Sequence, residues 1–311
     1  MQRAVEDLAH LPAGRDGVPG VVVLVDRNGR QSLYRAGSSV AGGPPIDPGD
    51  RMRLASVAKA YSGAVAFALV AERRLSLRDT VGKWLPSLPK AWSQVTLAEL
   101  LQHTSGIPDF SETEAFRNAL LADPLHAPPP IRLLSFASAH LLFAPGREYH
   151  YSNSDNVIVG LMAEAASGHT YEQELEAEVL APLGLGRTSL PRGATLDEPF
   201  VHGYALDPPN PPEDVTEVFA AGWSWASGGL VSTPAETDSF VRAYVRGEFG
   251  DRRTRSAQFE FRPGSSQPPG PGKNSAGLAL FRYQTSCGTV YGHTGNTAGF
   301  TQFAAASSDG R

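Results

Sequence analysis

The stretch from residue 55 to residue 72 constrains the fold more than any other part of this chain. It reads ASVAKAYSGAVAFALVAE, is rich in alanine, contains no proline and is almost entirely apolar. Alanine favours a helix, and a helix that is apolar on all sides has to be buried. The sequence therefore predicts a long buried helix here, around which other elements pack.

The size of the chain limits what can surround this helix. It has 311 residues, of which 41% are apolar, enough for one large domain or two joined domains. The longest apolar run, AYSGAVAFALVA at residues 60–71, is much shorter than the roughly 20 residues that a bilayer span needs. We therefore expect neither a membrane-spanning segment nor a membrane partner.

Strand-like segments lie at both ends of the chain. After a short helical segment at residues 2–9, VVVLVDRNGRQSLYRAG contains an Asn28–Gly29 pair that is typical of a hairpin turn. Near the other end, SAGLALFRYQ, GTVYGHTG and FTQFAAASSDG have the composition of successive strands. We expect these segments, within residues 1–75 and 274–311, to form one sheet domain.

The middle of the chain, residues 76–273, is predicted to be mainly helical. Helical periodicity occurs in VTLAELLQH, IRLLSFASAHLLF, NSDNVIVGLMAEAASG and YEQELEAEVLAPLGL. Gly168 is placed to cap the third of these segments, and Pro182 to stop the fourth. Loops rich in proline and glycine are predicted at residues 126–130, 207–214 and 262–273. A sheet with an inserted helical region indicates the α+β class.

Charge and cysteine content argue against several functional classes. The formal net charge is −5 and the isoelectric point about 5.9, which gives no electrostatic footprint for nucleic acid. The single cysteine, Cys287, lies in a strand-like stretch, so we interpret it as a small packed residue. The eight histidines show no spacing typical of a metal site. We expect no metal, no cofactor and no nucleic-acid partner, and the oligomeric state is left open.

The first residues bear on the cellular compartment. Glu6 and Asp7 stand where a signal peptide needs an apolar core. We therefore expect a cytoplasmic protein, or a secreted one if a leader has been removed from the chain.

A serine and a lysine stand three residues apart at the start of the predicted buried helix. Helical spacing puts Ser56 and Lys59 on one face, with Ser56 in the first turn, where free N–H groups favour developing negative charge. Burial lowers the pKa of a lysine, so that it can take the serine proton. The same spacing recurs beside two prolines at Ser87–Lys90, so a helix cap followed by a surface lysine is the simpler interpretation of the spacing alone.

Two further short motifs change that interpretation. Tyr-Ser-Asn occurs once, at residues 151–153 before a predicted helix, and His-Thr-Gly occurs once, at residues 293–295 in a predicted strand. Each alone has an ordinary structural explanation, such as an aromatic core residue, a helix cap or a strand histidine. In the order Ser-x-x-Lys, Tyr-x-Asn, His-Thr-Gly, they match the motif set of serine acyl-enzymes with two substitutions.

With these motifs, the chain resembles the serine β-lactamase and penicillin-binding protein family. It is most similar to the branch that contains class C β-lactamases, D-alanyl-D-alanine carboxypeptidases and related esterases. LLQHTSGIPDF, FAPGREYHYSNSDNVIVGLMAEAASG, LAPLGLGRT and ASGGLVSTPAET also resemble segments of this family, in collinear order over about residues 20–305. The resemblance implies an α+β fold in which an antiparallel sheet is flanked by helices and carries an inserted, mainly helical region.

The resemblance also implies roles in bond cleavage. Ser56 would be the acylated nucleophile, and Lys59 would take its proton or hold the field for another base. Tyr151 would relay protons to the leaving group. Asn153 would hydrogen-bond an amide or carbonyl group of the substrate.

Further roles are implied for the His-Thr-Gly strand. The backbone N–H groups of Ser56 and Asn296 would form the oxyanion hole. His293 and Thr294 would hold the carboxylate or ester end of the substrate. Gly295 would let the strand lie close to the substrate.

Three aromatic side chains can each be interpreted as functional or as structural. Trp223 and Trp225, in AGWSWASGG, are candidates to line the acyl pocket, although core packing explains them equally well. His103, in LQHTSG, is better explained as a hydrogen-bonded structural histidine than as a functional one.

Histidine at position 293, where many relatives have lysine, bears on the substrate. A histidine is only partly charged near pH 7, so its hold on a carboxylate should weaken as the pH rises. The change argues against an efficient β-lactamase and favours a carboxypeptidase or an esterase. In either case the partner is a small ester, amide or peptide.

The residues leave several functions open. The first is a serine acyl-enzyme hydrolase similar to D-alanyl-D-alanine carboxypeptidases or β-lactamases. The alternatives are an intracellular esterase or amidase, a transacylase that passes the Ser56-bound acyl group to an amine, and a non-catalytic penicillin-binding module. The intact motif residues argue against the last.

The end of the chain departs from the family pattern. Family members usually continue after the His-Thr-Gly strand with two more strands and a long helix, whereas this chain stops 16 residues after Gly295 in the turn-like SSDGR. We expect either a shortened chain that lacks its C-terminal strand and helix, or a sheet edge that is left open.

Overall fold

The computed structural model of the chain describes residues 1–9, 19–207 and 210–311, so part of the predicted 207–214 loop lies outside the described residues. The helices are α1 (Gln2–Ala9), α2 (Ala58–Ala71), α3 (Val81–Trp84), α4 (Leu97–Leu101), α5 (Glu114–Ala122), α6 (Pro130–Leu133), α7 (Asn153–Ser167), α8 (Tyr171–Leu175), α9 (Ala181–Leu183), α10 (Pro234–Arg246) and α11 (Arg252–Gln258). The strands are β1 (Gly20–Arg27), β2 (Arg30–Gly37), β3 (Met52–Arg53), β4 (Tyr204–Ala205), β5 (Glu213–Asp214), β6 (Val231–Ser232), β7 (Lys273–Ala276), β8 (Phe281–Thr285), β9 (Gly288–Thr297) and β10 (Phe300–Ala306).

The predicted buried helix is confirmed and forms the centre of the molecule. A 3₁₀ turn over Ala55–Val57 leads directly into α2, and every residue of α2 up to Leu69 is buried. The ring of Tyr61 stacks on Phe240 of α10, and α7 packs along another side of α2. The apolar composition that predicted the helix is thus matched by contacts on all of its faces.

The sheet differs from the single sheet that the sequence predicted. Strands β7 to β10 form an antiparallel sheet in the order β10-β9-β8-β7, whereas β1 and β2, among the described residues, pair only with each other. The turn residues Asn28 and Gly29 have positive φ, which confirms the hairpin. Helix α10 packs against both β1 and β10. Its Arg242 forms an ion pair with Asp26 (2.6 Å) and donates to the carbonyl oxygen of Gly310 (2.9 Å).

The helical middle and the strands share one hydrophobic core. This cluster of buried side chains runs from Leu54 through α2, α7 and α10 to Ala306 in β10. Helix α10 lies within the region predicted as helical, yet it packs on strands from both ends of the chain. The division at residues 75 and 273 stays a prediction.

Two helix predictions were wrong in part. IRLLSFASAHLLF is helical only through α6 and a 3₁₀ turn that ends at Phe136, because Ala137 is extended and the N–H of Leu142 donates to the carbonyl oxygen of Gly106. Pro182 does not stop the helix that contains it. A π-helical turn at Glu176–Leu180 leads into α9, in which Pro182 occupies the first turn, and the helix ends at Gly184 with positive φ.

Cys287 also differs from its interpretation as a packed residue. It is exposed in the turn between β8 and β9. Within the residues that the structure describes, no helix combines the length and the apolar character needed to cross a membrane.

Candidate active site

The backbone around Ser56 brings three segments together. Ser56 lies in the 3₁₀ turn between β3 and α2, directly after Ala55, which has a left-handed φ of 48°. Such a conformation costs a non-glycine residue on the order of 1–3 kcal/mol and occurs often at functional sites. Strand β9 passes beside this turn. A Cβ atom on Gly295 would lie 2.3 Å from the carbonyl oxygen of Leu54 and 3.2 Å from the backbone N of Ser56, so only glycine fits.

Lys59 is fully buried one helical turn from Ser56. Its Nζ lies 3.2 Å from Ser56 Oγ, 2.6 Å from Asn153 Oδ1 and 2.7 Å from the carbonyl oxygen of Ser227. These three acceptors match the three protons of an ammonium group. The predicted meeting of Ser56 and Lys59 is therefore observed, within an enclosed polar site.

Burial decides the protonation state of Lys59. Removal from water lowers the pKa of Lys59 to about 7, although the carboxylate of Asp109 partly offsets this effect. A substantial fraction of the lysine is then neutral at pH 7. A neutral amine 3.2 Å from the serine hydroxyl can accept its proton.

Asn153 is held in place by contacts on every side of its amide. Its side-chain nitrogen donates to Asp109 (2.9 Å) and to Ser111 (3.0 Å), and its backbone N–H also donates to Asp109 (3.0 Å). Its oxygen accepts from Lys59. The side-chain amide of Asn153 therefore holds the ammonium group of Lys59 in position. The predicted contact between Asn153 and the substrate stays a prediction.

Tyr151 lies on the other side of Lys59. Its ring centroid is 4.8 Å from Lys59 Nζ, and its hydroxyl is buried without a hydrogen bond to the described residues. Burial raises the pKa of Tyr151 well above its ordinary value, and the nearby Ser56 hydroxyl offsets only part of this effect. Tyr151 is thus a neutral phenol with a free hydroxyl beside the nucleophile.

The prediction that His293 is partly charged near pH 7 was wrong. His293 is buried on β9, and its Nδ1 lies 2.5 Å from the carbonyl oxygen of Thr294. Burial and the nearby charge of Lys59 lower the pKa of His293 to about 3. Since Nδ1 carries the proton that the carbonyl accepts, the buried Nε2 is a hydrogen-bond acceptor, and it has no partner in the part of the chain that the structure describes.

Three further predicted site residues follow His293 on β9. Thr294 is buried close to the phenol of Tyr283, and its groups offset part of the rise that burial causes in the pKa of Tyr283. The substrate contact predicted for Thr294 stays a prediction. Gly295 contacts the Ser56 turn, and Asn296 follows on the exposed part of the strand. The oxyanion-hole roles of the backbone N–H groups at 56 and 296 stay a prediction.

Both candidate tryptophans belong to the main core. Trp225 packs against Gly160 of α7 and the ring of Tyr171, and its Nε1 donates to Glu172 (3.2 Å). Its place in the acyl pocket stays a prediction. Trp223 is equally buried and packs edge-on against Phe116, with 5.6 Å between the ring centroids. The substrate contact predicted for Trp223 stays a prediction.

Sequence reasoning missed two groups that hold the site together. Asp109 anchors Asn153, and the carbonyl oxygen of Ser227 accepts from Lys59. LQHTSGIPDF and WASGG, which contain these residues, were signals of the family but not of these roles. The prediction that His103 is a hydrogen-bonded structural histidine is confirmed, since its Nδ1 lies 2.9 Å from Asp155 and its ring centroid lies 4.5 Å from that of Tyr151. Among the described residues, no cluster of three or more histidine, cysteine, aspartate or glutamate side chains is arranged to hold a metal.

The arrangement suits covalent catalysis through a serine. The Ser56 hydroxyl, an amine with a lowered pKa and a neutral phenol lie together, and β9 passes beside them with a ring nitrogen that has no hydrogen-bond partner among the described residues. Such a site can transfer an acyl group from an ester or an amide to the serine.

Comparisons with known proteins agree with this chemistry. The model of the family described as Beta-lactamase matches residues 1–310. Protein flp of Staphylococcus aureus (strain NCTC 8325 / PS 47) is 26% identical over 250 residues, which cover 78% of this chain and 48% of that protein. Penicillin-binding protein 4* of Bacillus subtilis (strain 168) is 24% identical over 230 residues, which cover 69% of this chain and 49% of that protein. The chain thus spans about half the length of these curated relatives.

Solved structures resemble the chain over nearly its whole length. A D-stereospecific amidohydrolase from Streptomyces sp. superposes with a TM-score of 0.86 at 28% identity, covering 99% of this chain and 90% of that one. D-amino acid amidase from Ochrobactrum anthropi SV3, complexed with D-phenylalanine, gives a TM-score of 0.84 at 25% identity, covering 98% of this chain and 86% of the amidase chain. The fold and the resemblance predicted from the motifs are confirmed.

Proposed function

This chain belongs to the beta-lactamase family, whose members are serine hydrolases that form acyl-enzymes, and we propose that it hydrolyses small amides and esters whose leaving group carries no carboxylate. D-amino acid amides are the substrate class that we favour. Two of its structural neighbours are a D-stereospecific amidohydrolase and a D-amino acid amidase. The proposal therefore differs from the D-alanyl-D-alanine carboxypeptidase and β-lactamase activities that the motifs first suggested.

The first chemical step is acylation of Ser56. Neutral Lys59 takes the hydroxyl proton across 3.2 Å, and the serine oxygen attacks the carbonyl carbon of the substrate. The N–H groups of Ser56 and Asn296 receive the oxyanion that forms. As the tetrahedral intermediate collapses, the bond to the leaving group breaks and Tyr151 donates its phenol proton to the leaving group. Lys59 then gives Tyr151 the proton that it had taken from the serine. Water then hydrolyses the acyl-enzyme by the reverse order of proton transfers.

The burial of His293, with its Nδ1 held by the Thr294 carbonyl oxygen, is the observation that carries the substrate assignment. A carboxylate on the leaving group would face the lone pair of Nε2 instead of a cation, in a site where burial opposes protonation of the ring. An N–H group of a carboxamide can donate to the same lone pair. The site beside β9 therefore favours an uncharged leaving group.

A matched pair of substrates tests this assignment. D-phenylalanine amide and the dipeptide D-phenylalanyl-D-alanine share one acyl group and differ in the carboxylate of the leaving group. We expect kcat/KM for the amide to exceed that for the dipeptide by at least about tenfold, and Ser56→Ala to abolish both activities. L-phenylalanine amide and nitrocefin extend the panel. Faster cleavage of the dipeptide or of nitrocefin would contradict the proposal.

Substitution of the histidine sharpens the same test. His293→Lys places an ammonium where the lone pair of Nε2 lies, so the preference should shift towards the dipeptide by about tenfold or more. Intact-protein mass spectrometry on the same samples reports which acyl groups attach to the enzyme. A stable adduct without turnover would support a penicillin-binding module instead, and an amide product in the presence of an added amine would support a transacylase.

A further inference from the structure

A buried polar cluster lies behind Tyr151 and has no part in the chemistry described above. It consists of His103, Ser105 and Asp155, which are 3%, 1% and 0% exposed. His103 Nδ1 lies 2.9 Å from one carboxyl oxygen of Asp155, and the Ser105 hydroxyl donates to the other oxygen at 2.6 Å. The backbone N–H of Ile107 donates in turn to the Ser105 hydroxyl (3.0 Å). The cluster is thus a closed hydrogen-bond network.

The network joins α7 to the segment that follows α4. Asp155 lies in the first turn of α7, two residues after Asn153, whereas His103 and Ser105 follow α4. His103 has a left-handed φ of 56°, a strained conformation for a residue that is not glycine. Its carbonyl oxygen accepts from the backbone N–H of His150, directly before Tyr151. The cluster therefore contacts both the ring and the backbone of the Tyr151 segment.

Burial acts against the charged forms of both ionisable groups in the cluster. It raises the pKa of Asp155 well above its ordinary range and lowers the pKa of His103 well below its own. Both carboxyl oxygens of Asp155 have a partner, one in His103 Nδ1 and the other in the Ser105 hydroxyl. A fully bonded pair of this kind can hold its neighbours in one arrangement.

Ring contacts hold the side chain of Tyr151. The His103 ring centroid lies 4.5 Å from the Tyr151 centroid at an angle of 47°, and the His293 ring lies 6.3 Å away. The Tyr151 hydroxyl itself has no hydrogen bond to the described residues. Its direction is therefore set by the groups packed against the ring, of which His103 is the nearest aromatic one.

We propose that His103, Ser105 and Asp155 form a positioning unit that holds the Tyr151 phenol in line with the leaving group. The inference rests on the proposed function, in which Tyr151 delivers a proton to that group. It goes beyond that function because it assigns the expulsion of poor leaving groups to residues that never touch the substrate.

The leaving group provides a readout that separates positioning from stability. A p-nitrophenyl ester leaves as a stable anion and needs little help from an acid, whereas an unsubstituted phenyl ester of the same acid depends on protonation. We expect Asp155→Ala to lower kcat for the phenyl ester by about 10²-fold and kcat for the p-nitrophenyl ester by no more than about threefold, with KM nearly unchanged. A loss of folded protein would lower both rates equally.

Two further variants keep the test decisive if Asp155→Ala folds poorly. Ser105→Ala removes one hydrogen bond and should give a smaller effect of the same kind, about tenfold on the phenyl ester alone. Asp155→Asn keeps an acceptor for Ser105 and supplies a donor to His103, so it should restore much of the rate that Asp155→Ala loses.

Asn156→Ala is the matched control. Asn156 follows Asp155 on α7 and donates a buried hydrogen bond to Ser62 of α2 (2.8 Å). Its loss should lower the melting temperature without any dependence on the leaving group. Equal losses with both esters in Asp155→Ala and Ser105→Ala, or a leaving-group dependence in Asn156→Ala, would overturn the inference.

Tyr151→Phe distinguishes the inference from the proposed function. If Tyr151→Phe slows the phenyl ester selectively and the cluster variants do not, the positioning role is wrong and the proposed proton donor stands. If Tyr151→Phe shows no such selectivity, the proposed role of Tyr151 fails and the inference fails with it.

Discussion

The chain contains the pattern Ser-x-x-Lys twice, and only one copy forms a site. At Ser56–Lys59 the lysine is fully buried and its Nζ contacts three oxygen acceptors. At Ser87–Lys90 both side chains are exposed, and Lys90 begins a short 3₁₀ turn after Pro89. The same four-residue spacing therefore yields a reactive pair in one region and an ordinary surface in the other.

The difference comes from residues far away in the sequence. Two of the acceptors of Lys59 lie 94 and 168 residues further along the chain, in α7 and in the turn before β6. These neighbours remove water, and the loss of water lowers the pKa of Lys59 to about 7. The comparison teaches that the motif supplies the reacting atoms, whereas the surrounding fold makes them reactive.

The largest expected difference is between substitutions of Ser56 and Ser87. Ser56→Ala should abolish covalent labelling by a fluorophosphonate probe and lower kcat by at least about 10³-fold, because it removes the nucleophile. Ser87→Ala should change neither, and both variants should melt close to the parent temperature. Labelling that persists in Ser56→Ala would remove the nucleophile from position 56.

The two lysines should differ almost as strongly. Lys59→Met keeps most of the side-chain volume but removes the base, so the rate of acylation should fall on the order of 10³-fold. Lys90→Met should leave the rate within about twofold of the parent, since it alters only an exposed position. Rapid-quench measurement of acyl-enzyme formation checks both variants, and a decrease of less than tenfold for Lys59→Met would exclude lysine as the base.

A glycine pair tests how closely β9 must approach the Ser56 turn. Gly295→Ala would place a Cβ 2.3 Å from the Leu54 carbonyl oxygen and push the strand and the nucleophile apart. A displacement of about 1 Å can cost about 10²-fold in kcat/KM. At Gly186 a Cβ would meet no atom of the described residues within 4 Å, so Gly186→Ala serves as the control. Equal activity of the two variants would show that the approach at Gly295 is not required.

Local patterns predicted the central elements well. The apolar stretch predicted α2, and Gly168 ends α7 in the left-handed conformation that the sequence indicated. The Asn28–Gly29 turn likewise needed only local information. At these places the residue type and the backbone conformation are linked directly.

The remaining features depend on tertiary contacts. The acceptor at Ser227 is a backbone carbonyl, which has no signature in the side-chain sequence. The charge of His293 depends on its burial and on Lys59, so residue type alone predicted the wrong state. Similarly, Pro182 continues a helix because a π turn precedes α9, and this turn has no simple residue pattern.

Titration of Lys59 tests most directly whether burial makes this lysine a base near pH 7. The chain contains only four lysines, so carbon-13 labelling at their ε positions gives few NMR signals, and Lys59→Arg identifies the relevant one. We predict a midpoint near pH 7 for this signal, with kcat/KM falling by about tenfold per pH unit below it, because the protonated amine cannot accept the serine proton. A midpoint near the ordinary lysine value of about 10.4 would contradict the account.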